Sequence, residues 1–170
     1  MTINTFEEKF EHALGDMYDA EHRFYDAQQE MAAKTDSAEL RTLLEQHNQQ
    51  TKGHIANLER VFRLLDKEPR RVKCEAAVGL VVEGERTMRD AGTPEIMNWV
   101  IATAQAKIEH YEIASYRGLI IGAEIMKNEE VVMLLQTNLR QEEGTADAVQ
   151  GEPRELEEEM AEKAAEAEKS

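Results

Sequence analysis

The chain has 170 residues, a formal net charge of −15 and 41% hydrophobic residues, a balance that repels phosphate backbones, whose binding draws on Lys and Arg, and so excludes nucleic acid as an expected partner. No apolar run is long enough for a membrane span, and the opening residues carry Glu7 and Glu8 where a secretory signal needs a cationic start. Cys74 is the one cysteine, which excludes a disulfide framework or a thiolate cluster within one chain and points to a reducing, cytoplasmic setting.

Thr5 with Glu8 reads as a capping box, and Phe6, Phe10, Leu14, Met17, Phe24 and Met31 follow at helical spacing. A first helix is expected to about Lys34. Asp36 and Ser37, with Glu39, open a second helix whose stripe is Leu40, Leu44, His47, Thr51, His54, Leu58, Val61 and Leu65, ending near Asp66 ahead of Pro69. Val78, Val81, Val82 and Met88 mark a short helix from Glu75 to Arg89. Ala91-Gly92-Thr93-Pro94 is strong punctuation: Gly stops a helix, Thr caps the next and Pro suits its first turn. A third long helix is expected from Pro94 to about Met126. Asn128-Glu129 opens the last, with Val132, Leu135, Leu139, Ala146 and Val149 inward, and Gly151 and Pro153 are expected to end or kink it. Residues 151–170 hold eight Glu against Arg154, Lys163 and Lys169, so −5 of the −15 sits in an acidic tail with little apolar surface to dock it. A mobile, dispensable tail is the expectation.

Helices of ~30 residues are ~45 Å long at ~1.5 Å per residue, a length that favours side-by-side packing. The connection from Lys67 to Pro94 is too long for a tight turn. The expected architecture is therefore all-α: residues 1–150 as a ferritin-like four-helix bundle with one long crossover containing a short extra helix, followed by the tail of residues 151–170. The third long helix carries more apolar surface than one inward stripe uses, including Trp99, Val100, Ile120, Ile121 and Ile125, which predicts a homodimer.

Ionisable residues interrupt the stripes. Glu21 lies between Met17 and Phe24; His47, Gln50 or Thr51, and His54 break the second stripe; Glu112 is in line with Ile108 and Leu119, Glu109 with Ala106 and Ile113, and Glu142 with Leu135 and Val149. The pattern repeats across the chain, with Glu21-xxx-Tyr25 matching Glu112-xxx-Tyr116 and a polar centre 29 or 30 residues later at Gln50 and Glu142. Two related hairpins about a pseudo-twofold axis would produce it. Each buried ion costs several kcal/mol unless paired, against perhaps ~5–15 kcal/mol of net stability. These carboxyl groups must be protonated, paired with cations or bound to metal, and the stripes supply no Lys or Arg at that level. Metal is the economical answer, and oxygen-rich sites with imidazole suit iron or manganese.

At Tyr18-Asp19-Ala20-Glu21, Gln49-Gln50-Thr51-Lys52-Gly53-His54, Lys73-Cys74-Glu75-Ala76 and above all Ile108-Glu109-His110-Tyr111-Glu112-Ile113-Ala114-Ser115-Tyr116, the chain resembles the YciE/YciF family of bacterial ferritin-like proteins, over about Thr5 to Val149. The resemblance implies a rubrerythrin-like bundle, usually dimeric, linked to stress responses and carrying a dinuclear metal site at Glu21, Glu112 and Glu142, with Glu109 close by. Position 50, often Glu in the family, is Gln50, and Ala146 stands where the family has Asp. Both departures remove negative charge, which implies partial occupancy unless His54 compensates; Glu143 or Asp147 would help only after a rotation of the last helix. The functional expectation is a di-iron or manganese oxidoreductase or peroxide scavenger with metal ligands drawn from Glu21, Gln50, His54, Glu109, Glu112 and Glu142, and Tyr25 and Tyr116 behind them. The alternative is a structural or interaction bundle with a degenerate metal site and no catalysis.

Overall fold

The computed structural model describes residues 2–167, with side chains over residues 2–149. Five helices follow in order: α1 (Phe6–Lys34), α2 (Ala38–Leu64), α3 (Glu75–Asp90), α4 (Pro94–Ile125) and α5 (Glu129–Ala167), with no strand among the described residues. Their starts are set by side chains that accept otherwise orphaned backbone N–H groups. Thr5 accepts from the Glu8 amide at 3.1 Å while Glu8 accepts in return from the Thr5 amide. Ser37, Thr93 and Asn128 cap α2, α4 and α5 in the same manner.

The helices α1 and α2 form one hairpin and α4 and α5 another; α2 packs on α5 and α1 on α4, which closes a four-helix ring, and α3 lies outside it against α4 and α1. The inward stripes meet in a core that includes Leu14, Phe24, Leu44, Leu58, Ile101, Ile108 and Leu135, all essentially inaccessible. Each such side chain contributes roughly 1.5–3 kcal/mol when fully buried. The crossover is tied down before α3 begins. Val72 donates its amide to the Gly15 carbonyl at 3.0 Å, and a Cβ on Gly15 would lie 2.7 Å from Val72 Cγ2, so only glycine admits this approach. Buried Asp19 accepts from the Cys74 amide at 2.9 Å, from Arg71 at 2.8 Å and from Arg23 at 2.6 Å.

Two expectations are corrected. The last helix does not end or break at Gly151 or Pro153 but continues to Ala167. A proline removes one backbone donor, and the surrounding Glu, Leu, Met, Ala and Lys are strong helix formers that carry the helix past it. The side chains from Gln150 onward, and with them the docking or mobility of the tail, lie outside the described residues. The surplus apolar surface of α4 is smaller than its sequence suggests: Val100 and Ile120 are buried within the chain, while Ile121 and Ile125 are exposed. No described helix is long and apolar enough to cross a membrane.

Candidate metal centre

Four carboxyl groups and two imidazoles converge in the middle of the bundle. The helix α1 contributes Glu21, α2 contributes His47 and His54, α4 contributes Glu109 and Glu112, and α5 contributes Glu142; each is 0% or 1% exposed. The spacing explains the convergence. His47 and His54 are seven residues apart, two turns along one face, and Glu109 and Glu112 are three apart, about one turn, so each pair projects toward the axis. One set of donors comprises His47, Glu109, Glu112 and Glu142 and a second comprises Glu21, His54 and Glu142, with the donor atoms of each set within 4.8 Å of one another. Glu142 belongs to both.

The contacts are close without being saturated. His47 Nε2 is 3.1 Å from Glu109 and 3.5 Å from Glu142. His54 Nδ1 is 2.8 Å from Glu142 and 3.5 Å from Glu21. None of these contacts has hydrogen-bond alignment: both of those ring nitrogens, both oxygens of Glu112 and of Glu142, and one oxygen each of Glu21 and Glu109 have no hydrogen-bond partner. Buried polar atoms are ordinarily satisfied, so these eight clustered donor atoms could hold a metal ion. The chemistry also fits, since carboxylate oxygen with imidazole nitrogen suits a hard or borderline divalent metal.

The outward-facing atoms of the same residues are held. His47 Nδ1 is 3.0 Å from Thr145 Oγ1 and 3.2 Å from Gln50 Oε1. His54 Nε2 is 2.8 Å from Gln141 Oε1. Tyr116 donates its hydroxyl to Glu21, and Gln105 donates to Glu109. Asn138 in turn donates to the Tyr116 oxygen at 2.9 Å and accepts from Asn57 at 2.7 Å. Partners of this kind fix ring orientation and tautomer in metal sites.

Electrostatics follow from the crowding. Burial works against the imidazolium of His47, but Glu109 and then Glu142 outweigh it and lift its pKa to about 9. For His54, burial is again outweighed, here by Glu21 and Glu142, and the pKa rises to about 11. Glu142 is pushed up to about 8 by burial, with His54 holding it back. Burial, then Glu142, Glu21 and Glu109, push Glu112 well above the carboxylate range. The cluster therefore holds protons that a cation would have to displace.

Of the six residues expected from the sequence, the structure brings Glu21, His54, Glu109, Glu112 and Glu142 together and places Gln50 half-buried, with its Oε1 3.2 Å from Nδ1 of His47. Helix rotation is the reason: one residue step turns the side chain by ~100°, and the inward direction of α2 runs through His47, Thr51 and His54. His47 is the donor that the sequence argument placed on the stripe but did not count. Its signal was the repeat at seven residues with His54, which puts both rings at the level of the carboxylates. Glu143 pairs with Arg117 at 2.7 Å and Asp147 is exposed, so α5 is not rotated to offer either. Tyr25 is half-buried, with Lys52 over its ring, and does not share the position of Tyr116.

Residues 5–165 match the family described as domain of unknown function DUF892. The chain is 32% identical to protein YciF of Escherichia coli strain K12 over 149 residues, covering 85% of this chain and 88% of that one. Among solved structures, the Escherichia coli stress protein YciF superposes with a TM-score of 0.86 at 28% identity, covering 91% of this chain and 98% of the other. YcfI from Rhodopseudomonas palustris gives 0.85 at 31% identity, over 87% and 94% of the two chains. A Xanthomonas campestris protein shares the fold, with a TM-score of 0.75 at 22% identity over 95% of this chain and 99% of that one.

Proposed function

The chain belongs to the DUF892 family, and on that premise we propose that it is a carboxylate-bridged metal protein holding two ions side by side, iron first and manganese second. The observation that carries this reading is the group of eight buried, unsatisfied donor atoms at the bundle centre. Glu142 would contribute to both positions, with His47, Glu109 and Glu112 completing one and Glu21 and His54 the other. His47 with Glu109 makes up in number what Gln50 and Ala146 lack, so those two departures do not argue against a second ion.

Bound there, an iron pair would supply, one from each Fe(II), the two electrons that reduce a peroxide to water with two protons from solvent, the reaction class that we assign. The chain's own residues keep the donors in place and dry. Gln105 fixes one oxygen of Glu109, Gln141 and Thr145 orient the rings of His54 and His47, and Tyr116 holds a proton against Glu21. We further propose that two chains associate through the exposed Ile121 and Ile125 of α4, with Met133 of α5 nearby in sequence order after the turn.

Metal analysis of protein purified after iron- and manganese-supplemented growth, followed by anaerobic Fe(II) titration of the metal-free chain, tests the first part, with two ions per chain as the expected stoichiometry. A chain that takes up neither iron nor manganese under these conditions is not a metal protein of this kind. Peroxide consumption is then compared between iron-loaded and metal-free protein. Equal rates would leave a metal-stabilised bundle without that activity, which is the structural alternative.

A further inference from the structure

Between α2 and α5 lies a cleft of about 650 Å³ whose inner wall is formed by His47, Gln50, Gln141 and Thr145. Its mouth is open, since Glu39, Gln46, Gly144 and Ala148 on its rim are all exposed. The ring of His47 is the partition. Its Nδ1 edge lies against Thr145 and Gln50 on the cleft side, and its Nε2 edge is 3.1 Å from Glu109 on the donor side. One imidazole thus separates bulk-accessible space from a buried cluster of carboxyl groups. The grooves between α1 and α4 and between α3 and α4 touch none of the six donors.

We propose that the α2–α5 cleft is the entrance through which a divalent cation reaches the buried donors, with the His47 ring as its inner door and the Thr145 hydroxyl and Gln50 carboxamide as the latch. The lining suits such an ion: carboxamide, hydroxyl and carboxylate oxygens can replace water on a hard cation stepwise, and besides His47 the exposed Arg140 is the one basic group among the described lining residues. This inference rests on the metal reading above and adds the route to it.

Gly144 allows a direct test. A Cβ built there meets nothing within 4 Å, and replacing glycine within a helix removes a residue of poor propensity, so a side chain can be added to the cleft wall without disturbing the fold. Co(II) binding to the metal-free full-length chain is followed by stopped-flow absorbance, and release is driven with a chelator. Gly144→Trp is expected to slow association and release together, by about tenfold, and to leave the equilibrium affinity and stoichiometry unchanged, because a plug acts on the path and not on the end states. Gly144→Lys should slow association in a manner relieved by salt, and Gly144→Glu should speed it. Gly79→Trp on α3, equally open at its Cβ, should bind at the parental rate.

If the parent chain binds no Co(II), the metal reading falls and the route falls with it. Should the parent bind while Gly144→Trp and Gly144→Lys associate at its rate, the route alone is overturned. A weakened affinity in Gly144→Trp with unchanged association also overturns it, since the substitution would then act on the donors.

Discussion

The α1–α2 hairpin brings one carboxyl group and two imidazoles to the centre, while the α4–α5 hairpin brings three carboxyl groups and no imidazole. The two hairpins repeat one topology and divide the chemistry. Each half alone holds an unbalanced charge: the first gathers two rings against Glu21, and the second stacks Glu109, Glu112 and Glu142 with no cation among them. Docking is what brings His54 to 2.8 Å from Glu142 and His47 to 3.1 Å from Glu109. Closing the bundle therefore assembles the donor set, and a cation bound there, having no preformed site in the unfolded chain, would stabilise the closed state.

Glu142 is the one residue shared by the two donor sets, and its replacement gives the largest effect. Glu142→Gln should abolish binding of both ions, whereas Glu21→Gln should leave one ion bound to His47, Glu109, Glu112 and Glu142. Loss of a ligand or its oriented partner commonly costs about 10–100-fold or more in affinity. Calorimetric titration of the two variants with Fe(II) under anaerobic conditions separates the outcomes. Equal stoichiometry in both would show that the two sets are not distinct ion positions.

The division of charge also sets the pH response of the metal-free chain. The folded-state pKa values of His47 and His54 are raised to about 9 and about 11 from 6.5, and that of Glu142 is raised to about 8 from 4.5. A group whose folded pKa is raised binds its proton more tightly when folded, so its contribution is complete below the unfolded value and is lost as pH climbs toward the folded one. For Glu142 the loss runs from about pH 4.5 to about 8, and for His47 from about 6.5 to about 9. The melting temperature should therefore fall between pH 6 and pH 9, by an amount on the order of a few kcal/mol in unfolding free energy. Saturating metal should flatten the profile, and a metal-free chain that grows more stable over this range would contradict the proton-filled centre.

The matched tyrosines give a smaller contrast. Tyr116 is fully buried, donates to Glu21 and accepts from Asn138. Removing its hydroxyl strands both partners, at about 1–3 kcal/mol. Tyr25 is half-buried and its ring meets Lys52. Tyr25→Phe should stay within about 0.5 kcal/mol of the parent. Urea unfolding of the two variants measures the difference, and equal costs would mean that the Glu-xxx-Tyr pairs are equivalent after all.

Much of this was legible in the residues. Capping side chains at Thr5, Ser37 and Thr93 marked the helix starts because a cap is a local interaction that needs no tertiary partner. The carboxyl groups at 21, 109, 112 and 142 stood out because a charge on an apolar stripe is anomalous under any packing. His47 did not stand out, since a single inward histidine is ordinary core chemistry until the facing helix is known to carry Glu109. The choice between Gln50 and Thr51 was open for a related reason: the stripe defines a sector of α2, and only docking against α5 buries Thr51 and sets Gln50 against the Nδ1 edge of His47. Pro153 misled because its local cost is real and the helix formers around it outweigh it.

The two interhelical turns of the hairpins close differently, and the last prediction separates them. Between α1 and α2, a side chain from another helix pins the turn: Asn98 of α4 accepts from the Thr35 hydroxyl at 2.7 Å and donates to Asp36 at 2.6 Å. Between α4 and α5, the backbone makes the turn itself. Lys127 takes φ = 56°, in the left-handed region, while its amide and that of Asn128 return to Glu124 and Ala123. A residue with a Cβ is strained there by about 1–2 kcal/mol, and glycine is not. Glycine also gives up more chain entropy on folding, roughly 0.5–1 kcal/mol, which offsets part of that relief. Lys127→Gly should therefore stabilise the chain slightly, by about 0.5 kcal/mol, whereas Asn98→Ala, which strands the buried Thr35 hydroxyl and releases the exposed Asp36 to solvent, should destabilise it by about 1–3 kcal/mol. Opposite signs in urea unfolding would establish that one turn depends on its neighbour and the other on its own backbone; a loss of stability in Lys127→Gly would mean that the lysine side chain contributes more to the second turn than its conformation costs.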